Sequence, residues 1–333
     1  MGDPAGIGPE IILKALGALR PSIASGELQI TIAGSADAFA STARLMRLPG
    51  LDTYPGVALI DVGPAEGIVA GSPSALTGEL AYRSIAAAVE ATQGGRTDAI
   101  VTAPISKEAL HLAGHNYPGH TELLADLTGS KGPVMMLAHE GFRVSHVTTH
   151  IPLEQVPGRV TPERLRRVIA LTHEALLALG IAQPRIAVAA LNPHAGEGGV
   201  LGRHDIDVAE PVIAEFKARG MAIDGPVPGD TVFVKMRGGH YDAVIAMYHD
   251  QGHIPVKLLG FSIDPKSGRW EALSGVNISL GLPIIRTSVD HGTAFDIAGK
   301  GVASERSLLD AIAYAAQLSR RKATAAAAAA CAN

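Results

Sequence analysis

Three apolar runs each close on a histidine: RVSHVTTH (143–150), RIAVAALNPH (185–194) and DAVIAMYH (242–249). Three neutral imidazoles can bind Zn, Mn, Co or a similar divalent ion and leave a coordination position open, where the ion polarises a substrate oxygen. His150, His194 and His249 are therefore candidate ligands. They lie far apart in the chain and match no compact metal motif, and a trio of histidines at strand ends is more often structural. Past His249, the stretch AMYHDQGHIPVK (246–257) reaches Lys257, and GVNISLGLPIIRTSVDHG carries Asn277 and Arg286. A compact ammonium and a planar guanidinium suit a phosphate or carboxylate. Surface ion pairs are the commoner use of such residues, but Arg286 follows an apolar run, an odd place for a solvated charge. The loop DHGTAFDIAGKG (290–301) joins small residues to His291, Asp296 and Lys300. It can wrap an adenosine or pyrophosphate, or simply turn tightly before a helix.

These residues must be held by a scaffold, and its elements are legible. β-branched runs at 28–34, 57–62, 98–104, 143–150, 185–194 and 242–249 alternate with helical patterns. That order predicts an α/β sheet, largely parallel and covered on both faces. In TPERLRRVIALTHEALLALG, Thr161 is the expected N-cap, Pro162 the first helical residue and Gly180 the stop. Ser106 caps a second helix. Ligands of open α/β sheets sit at the carboxyl ends of strands, where Thr102, Pro104, His150, Asn192, His194, Tyr248 and His249 fall; polar residues also begin ordinary loops there. At the start, MGDPAGIGPEIILKAL puts Pro9 and Glu10 at a helix head behind Gly2, Gly6 and Gly8, a turn that could receive an anion or merely join a strand to a helix. No strand precedes it, so a first strand is expected to be missing. The ending ATAAAAAACAN reads as a frayed helical extension or disorder.

With 333 residues, 47% of them apolar, and a net charge of −4, the chain reads as globular, without the basic track that nucleic acid requires. No apolar run approaches the roughly 20 residues of a membrane span, and no signal region opens the chain, so a cytoplasmic enzyme without membrane contact is expected. The single cysteine, Cys331, leaves nitrogen and oxygen as metal ligands.

Taken together, GDPAGIGPEI, TAPISKEAL, YPGHTELLA, TTHIPL, LNPHAGEGG, YHDQGHIPVK and GVNISLGLPIIRTSVDHGTAFDIAGKG, running from residue 2 to about 303, resemble the 4-hydroxythreonine-4-phosphate dehydrogenase family. The resemblance implies a two-domain isocitrate/isopropylmalate dehydrogenase-like fold: a discontinuous first domain (1–105 plus 240–322), a second domain with dimer contacts (106–239) and a low-complexity tail (323–333). It implies a homodimer with the active site in a cleft at the subunit interface. Carried over by motif, His150, His194 and His249 bind a divalent metal (Zn, Mn, Co or Mg), while His120 and Thr121 contact the substrate with Lys257, one loop beyond His249, and with Asn277 and Arg286. His253 is no family ligand and reads as structural. The loop resembles the cofactor loop of isopropylmalate and isocitrate dehydrogenases, which implies NAD or NADP contacts from His291, Gly292, Thr293, Ala294, Asp296 and Gly299. The implied reaction oxidises a phosphorylated hydroxy acid and decarboxylates it, foremost 4-phosphohydroxy-L-threonine to 3-amino-2-oxopropyl phosphate in pyridoxal phosphate biosynthesis.

Two departures qualify this. The segment FSIDPKSGRWEALSG (261–275), with Trp270, is longer than expected for the biosynthetic enzyme, and GHIPVK resembles a paralogous branch acting on threonate or erythronate 4-phosphate. A more distant relative oxidises a terephthalate-type cis-dihydrodiol. A different class also fits the broad fold, a phosphate-ligand binder or acyltransferase; the former has no use for a nicotinamide loop, the latter none for metal-directed histidines.

Overall fold

The structure, a computed structural model, describes residues 1–266 and 270–331, with 270–273 and 321–331 described by backbone alone. Ser267, Gly268 and Arg269 of the expected insertion, and the last two residues of the tail, lie outside the described residues.

In chain order the elements are α1 (Gly8–Ala24), β1 (Ile30–Gly34), α2 (Ala36–Met46), β2 (Val57–Asp61), α3 (Ala75–Gln93), β3 (Ala99–Thr102), α4 (Lys107–Leu112), α5 (His120–Leu127), β4 (Val134–His139), β5 (Phe142–His146), α6 (Val156–Arg159), α7 (Pro162–Ala178), β6 (Ile186–Ala189), α8 (Glu210–Ala218), β7 (Ile223–Val227), α9 (Gly229–Arg237), β8 (Ala243–Ala246), α10 (His249–Gly260), β9 (Phe261–Ile263), β10 (Trp270–Leu273), β11 (Val276–Leu280), β12 (Ile285–Val289) and α11 (Arg306–Cys331). The expected caps form. Thr161 accepts the Arg164 N–H at 3.2 Å and Ser106 accepts that of Ala109 at 3.1 Å, each satisfying an orphan donor of the first turn. Along α7, Leu165, Val168, Ile169, Thr172 and Leu176 recur at helical spacing and are buried, and Gly180 ends the helix at φ +92°.

The chain forms two compact units, 1–133 with 282–316, and 134–281 with 317–333. These bounds differ from those expected at 105, 239 and 322. α4 and α5 stay with the first unit because both pack against α3, while β8 pairs between β5 and β6 and so belongs to the second. In the first unit β1 pairs with β2 and β3 with β12, both in parallel, over a core that includes Ile7, Ile11, Val289 and Leu308.

In the second unit the strand order is β11-β4-β5-β8-β6-β7. β5, β8, β6 and β7 run parallel, and β6 and β8 are buried at every position, which is why IAVA and AVIA read as unbroken apolar runs. β4 is antiparallel to both β11 and β5. It was not among the expected strands; its link to β5 is the two residues Glu140 and Gly141, with Glu140 at φ +50°, as a tight hairpin requires. Leu137, Val144, Ala187, Val244, Ala246 and Val256 form the core beneath.

Three further differences bear on function. The segment from His249 to Lys257 is no loop. It is the first two turns of α10, opened by Tyr248 in extended conformation and tolerating Pro255 within. The N–H groups of the first glycine-rich turn are already engaged: Asp3 donates to Pro104, Ala5 to the Asp3 carboxylate, Gly6 to the Asp3 carbonyl and Ile7 to Thr293. Its glycines serve close packing, since a Cβ on Gly2 would lie 2.3 Å from the Pro104 carbonyl oxygen. Of the two readings of the tail, the helical one holds for the backbone as far as Cys331.

Candidate active site

The strand ends of the second unit present a column of imidazoles. His146, on β5, is buried, and its ring centroid lies 4.7 Å from that of His253. His253 stacks on His249 at 3.6 Å with 12° between the planes, and His249 meets His150 at 5.5 Å. His249 and His253 share a face because they are four residues apart on α10. His253 Nδ1 donates to the His249 carbonyl at 2.9 Å. Burial, helped by the neighbouring imidazoles, pushes His146 down to about 3 and His253 to about 4, so both rings are neutral at physiological pH.

The His249 Nδ1 lies 2.6 Å from the Asp250 carboxylate, a contact that orients the ring. His150 is beside it. His194 does not join them: among the described residues no three His, Cys, Asp or Glu side chains converge to hold a metal.

His194 sits instead in a left-handed turn, Pro193–Gly199, where His194, Ala195 and Glu197 have φ of 52°, 55° and 44°. Non-glycine residues pay roughly 1–2 kcal/mol each in that conformation, and such strain persists only where the surroundings enforce it. Asp205 anchors the backbone that leads into this turn. Its buried carboxylate accepts the N–H groups of Leu191 and Asn192, at 2.7 and 3.0 Å, and the Asn192 amide at 2.9 Å. Sequence reading missed Asp205, because a carboxylate bonded to backbone 13 and 14 residues earlier leaves no periodic signal. Two other predicted residues belong to this unit. The Lys257 ammonium stands 4.5 Å above the Phe261 ring, and the Asn277 Oδ1 is buried with no hydrogen-bond partner among the described residues.

The first unit brings His120 and Arg286 together. Arg286 is 2% exposed on β12 and donates from its guanidinium to the Thr102 hydroxyl at 2.7 Å. Burial lowers its pKa to about 9, Glu122 opposing, so it keeps its charge at neutral pH. His120 opens α5 with a buried Nε2 that has no hydrogen-bond partner among the described residues. Burial first, then Arg286 and the N-terminal amine, hold it well below the usual histidine range. Thr121 follows in the same turn, half-buried. A buried cation beside a neutral N–H donor is a receptor for an anionic oxygen.

The loop at 290–301 is seated on the start of α1. Thr293 accepts the Ile7 N–H at 3.0 Å, and Lys14 donates to Gly301 and Ala303 while paired with the buried Glu10. His291 Nδ1 meets the Gly292 carbonyl at 3.1 Å, Ala294 and Gly299 take positive φ, and Gly292 and Asp296 are exposed. No helix among the described residues is long and apolar enough to cross a membrane.

Residues 14–315 match the family model described as pyridoxal phosphate biosynthetic protein PdxA. A Bradyrhizobium diazoefficiens protein, provisionally named D-threonate 4-phosphate dehydrogenase, is 60% identical over 96% of this chain and 95% of its own. A Caulobacter vibrioides 4-hydroxythreonine-4-phosphate dehydrogenase is 43% identical over 96% of both. The crystal structure of 4-hydroxythreonine-4-phosphate dehydrogenase from Klebsiella pneumoniae superposes with a TM-score of 0.79 at 43% identity, over 96% of each chain.

Proposed function

Because the chain belongs to the PdxA family of pyridoxal phosphate biosynthetic proteins, we propose that it is a metal-dependent dehydrogenase, linked to NAD or NADP, that oxidises and decarboxylates D-threonate 4-phosphate. The observation that carries the substrate is the 60% identity to the Bradyrhizobium relative, against 43% to the Caulobacter one. The GHIPVK wording and the added β9–β10 hairpin point the same way. This revises the first expectation, 4-phosphohydroxy-L-threonine. The two compounds share carboxylate, C3 hydroxyl and phosphate, and differ at C2, where threonate has a hydroxyl and hydroxythreonine an ammonium.

His150, His194 and His249 would hold the divalent ion, in a homodimer whose subunits share the site, with the Asp250 carboxylate orienting His249. When bound, the ion would supply Lewis acidity toward a substrate oxygen and the nicotinamide would supply the hydride acceptor. The chain's own part is orientation and charge. Arg286, held by Thr102, meets an anionic group of the substrate with a permanent cation. His120, neutral beside it, donates one N–H without adding a second buried charge. The Asn277 Oδ1 accepts from a substrate hydroxyl, and Lys257 supplies a second cation. Oxidation at C3 places a carbonyl β to the carboxylate. Its loss as CO2, with a proton replacing it at C2, leaves dihydroxyacetone phosphate.

The test is a comparison of kcat/KM for the two substrates with the purified protein. At least tenfold preference for D-threonate 4-phosphate, with equal amounts of CO2 and reduced nicotinamide formed, is expected. A preference for 4-phosphohydroxy-L-threonine would return the protein to the biosynthetic branch.

A further inference from the structure

His120 is delivered to its place by residues 113–119, the link from α4 to α5, and that link is held by side chains as well as by its own backbone. α5 opens behind Gly119 without a side-chain cap. Leu123 and Leu124 bury the body of the helix, but its first turn, with His120 and Thr121, depends on the link before it. His115, in the middle of the link, is gripped three ways. Its N–H donates to the Leu110 carbonyl at 2.8 Å. Its ring lies flat on that of Tyr82 of α3, with centroids 3.7 Å apart and planes at 10°. Its Nε2 meets the Glu79 carboxylate, 36 residues away in the chain, at 2.8 Å. A carboxylate only accepts, so Nε2 is the nitrogen that carries the proton. The bond from His115, then that from Arg83 Nε at 2.6 Å, hold the Glu79 carboxyl below the usual carboxylate range. Beyond His115, Tyr117 donates from its hydroxyl to Asp126 of α5 and packs, like Tyr82, on the core that contains Leu123 and Leu124.

We propose that His115 is a positioning residue for the substrate-binding turn, clasped by Glu79 and Tyr82 so that the link presents His120 to the substrate. The inference rests on the substrate role proposed for His120. The clasp is directional: the stack fixes the plane of the ring and the carboxylate fixes its rotation in that plane, which apolar filling of the same space cannot do. An exposed ion pair would be worth little, but these two side chains are mostly covered, at 22% and 33% exposure. The His120 Nε2 that the link delivers is buried with no partner among the described residues, so a shift of the turn loses an oriented contact that water does not replace. Misplacement by about 1 Å of a group that orients a substrate can cost roughly 100-fold in rate.

The experiment is steady-state kinetics of the full-length protein with D-threonate 4-phosphate and the nicotinamide. His115→Phe keeps a stacked ring and deletes the bond to Glu79, Glu79→Ala removes the acceptor, and Glu79→Gln retains an acceptor oxygen for Nε2. His115→Phe and Glu79→Ala are each expected to lower kcat/KM for the hydroxy acid about 10–100-fold, chiefly through its KM, with the KM for the dinucleotide within about twofold of wild type. The double variant should fall no further than the worse single one, and Glu79→Gln should recover to within about threefold of wild type. A role confined to stability would lower the thermal midpoint and leave the KM values of the folded variants unchanged. A hydroxy-acid KM within about twofold of wild type in folded His115→Phe and Glu79→Ala would therefore overturn the proposal and leave the role of His120 standing. Losses that add in the double variant, or a Glu79→Gln as impaired as Glu79→Ala, would overturn it too. Should His115→Phe fail to fold, the two Glu79 variants decide. Unchanged kinetics in His120→Ala, or a wild-type enzyme that oxidises no phosphorylated hydroxy acid, would remove the reading of His120 and this inference with it.

Discussion

Arg286 on β12 and Thr102 at the end of β3 are joined by a 2.7 Å hydrogen bond between two buried side chains, on parallel strands contributed by segments 184 residues apart. The bond aims a desolvated guanidinium, and Lys cannot reproduce its planar fork. Hydrogen bonds to charged groups are worth about 1.5–3 kcal/mol, so Arg286→Lys is expected to lower kcat/KM roughly 10–150-fold. Thr102→Val should produce a smaller loss of the same kind. Steady-state kinetics of both variants check this; an Arg286→Lys enzyme with unchanged kcat/KM would remove Arg286 from the substrate site.

The pH dependence of stability follows from His146. Its ring is buried, and its folded pKa of about 3 lies below the value near 6.5 of an unfolded histidine. Between those values the unfolded chain binds the extra proton, so stability rises with pH through the window. The contribution is complete above about pH 6.5 and is lost as pH falls toward 3, with a slope of up to about 1.4 kcal/mol per pH unit. Denaturant midpoints taken between about pH 7 and pH 4 measure it. His146→Gln should flatten the curve, and an equally steep curve in that variant would assign the acid sensitivity to other groups.

Gly252 lies against that same ring. A Cβ there would stand 2.3 Å from His146 Nε2 and 2.8 Å from Val144 Cγ1, inside a packed core. Gly252→Ala is therefore expected to destabilise the protein by about 1–3 kcal/mol, despite the helix-favouring exchange. Thermal unfolding is the measurement, and an unchanged midpoint would mean that α10 moves off β5 without cost.

How much of this was legible in the sequence depended on the range of the interaction. The caps of α7 and α4 were readable because Thr161 and Ser106 bond three residues ahead. The apolar runs of β3, β6 and β8 declared buried strands, and Arg286 stood out against its apolar flank. β4 escaped because its partners are antiparallel in a sheet read as parallel, and α10 because a proline and two glycines disguise its helix. Asp205 and Glu79 gave no sign at all. Each acts on a group that only the folded chain brings near, 14 residues away for the Asp205 carboxylate and 36 for that of Glu79.

The seating of the 290–301 loop is a further handle. Lys14 donates to Gly301 at 3.0 Å and Ala303 at 2.6 Å and is paired with Glu10. Lys14→Met would release those carbonyls, and the KM for the dinucleotide should rise about tenfold with little change in kcat, by the worth of one such bond. A KM unchanged for the dinucleotide but raised for the hydroxy acid would assign the loop to the substrate instead.

The central claim, a metal-dependent dehydrogenase of a phosphorylated hydroxy acid, is met most directly by one assay. Purified protein is given D-threonate 4-phosphate and NAD or NADP, before and after treatment with a chelator, and again after restoring Zn2+, Mn2+ or Co2+, while the reduced nicotinamide is followed by absorbance. The account predicts formation that stops on chelation and returns with the metal. Formation that continues undiminished in metal-free protein would contradict it, as would its complete absence from folded, metal-loaded protein with this substrate.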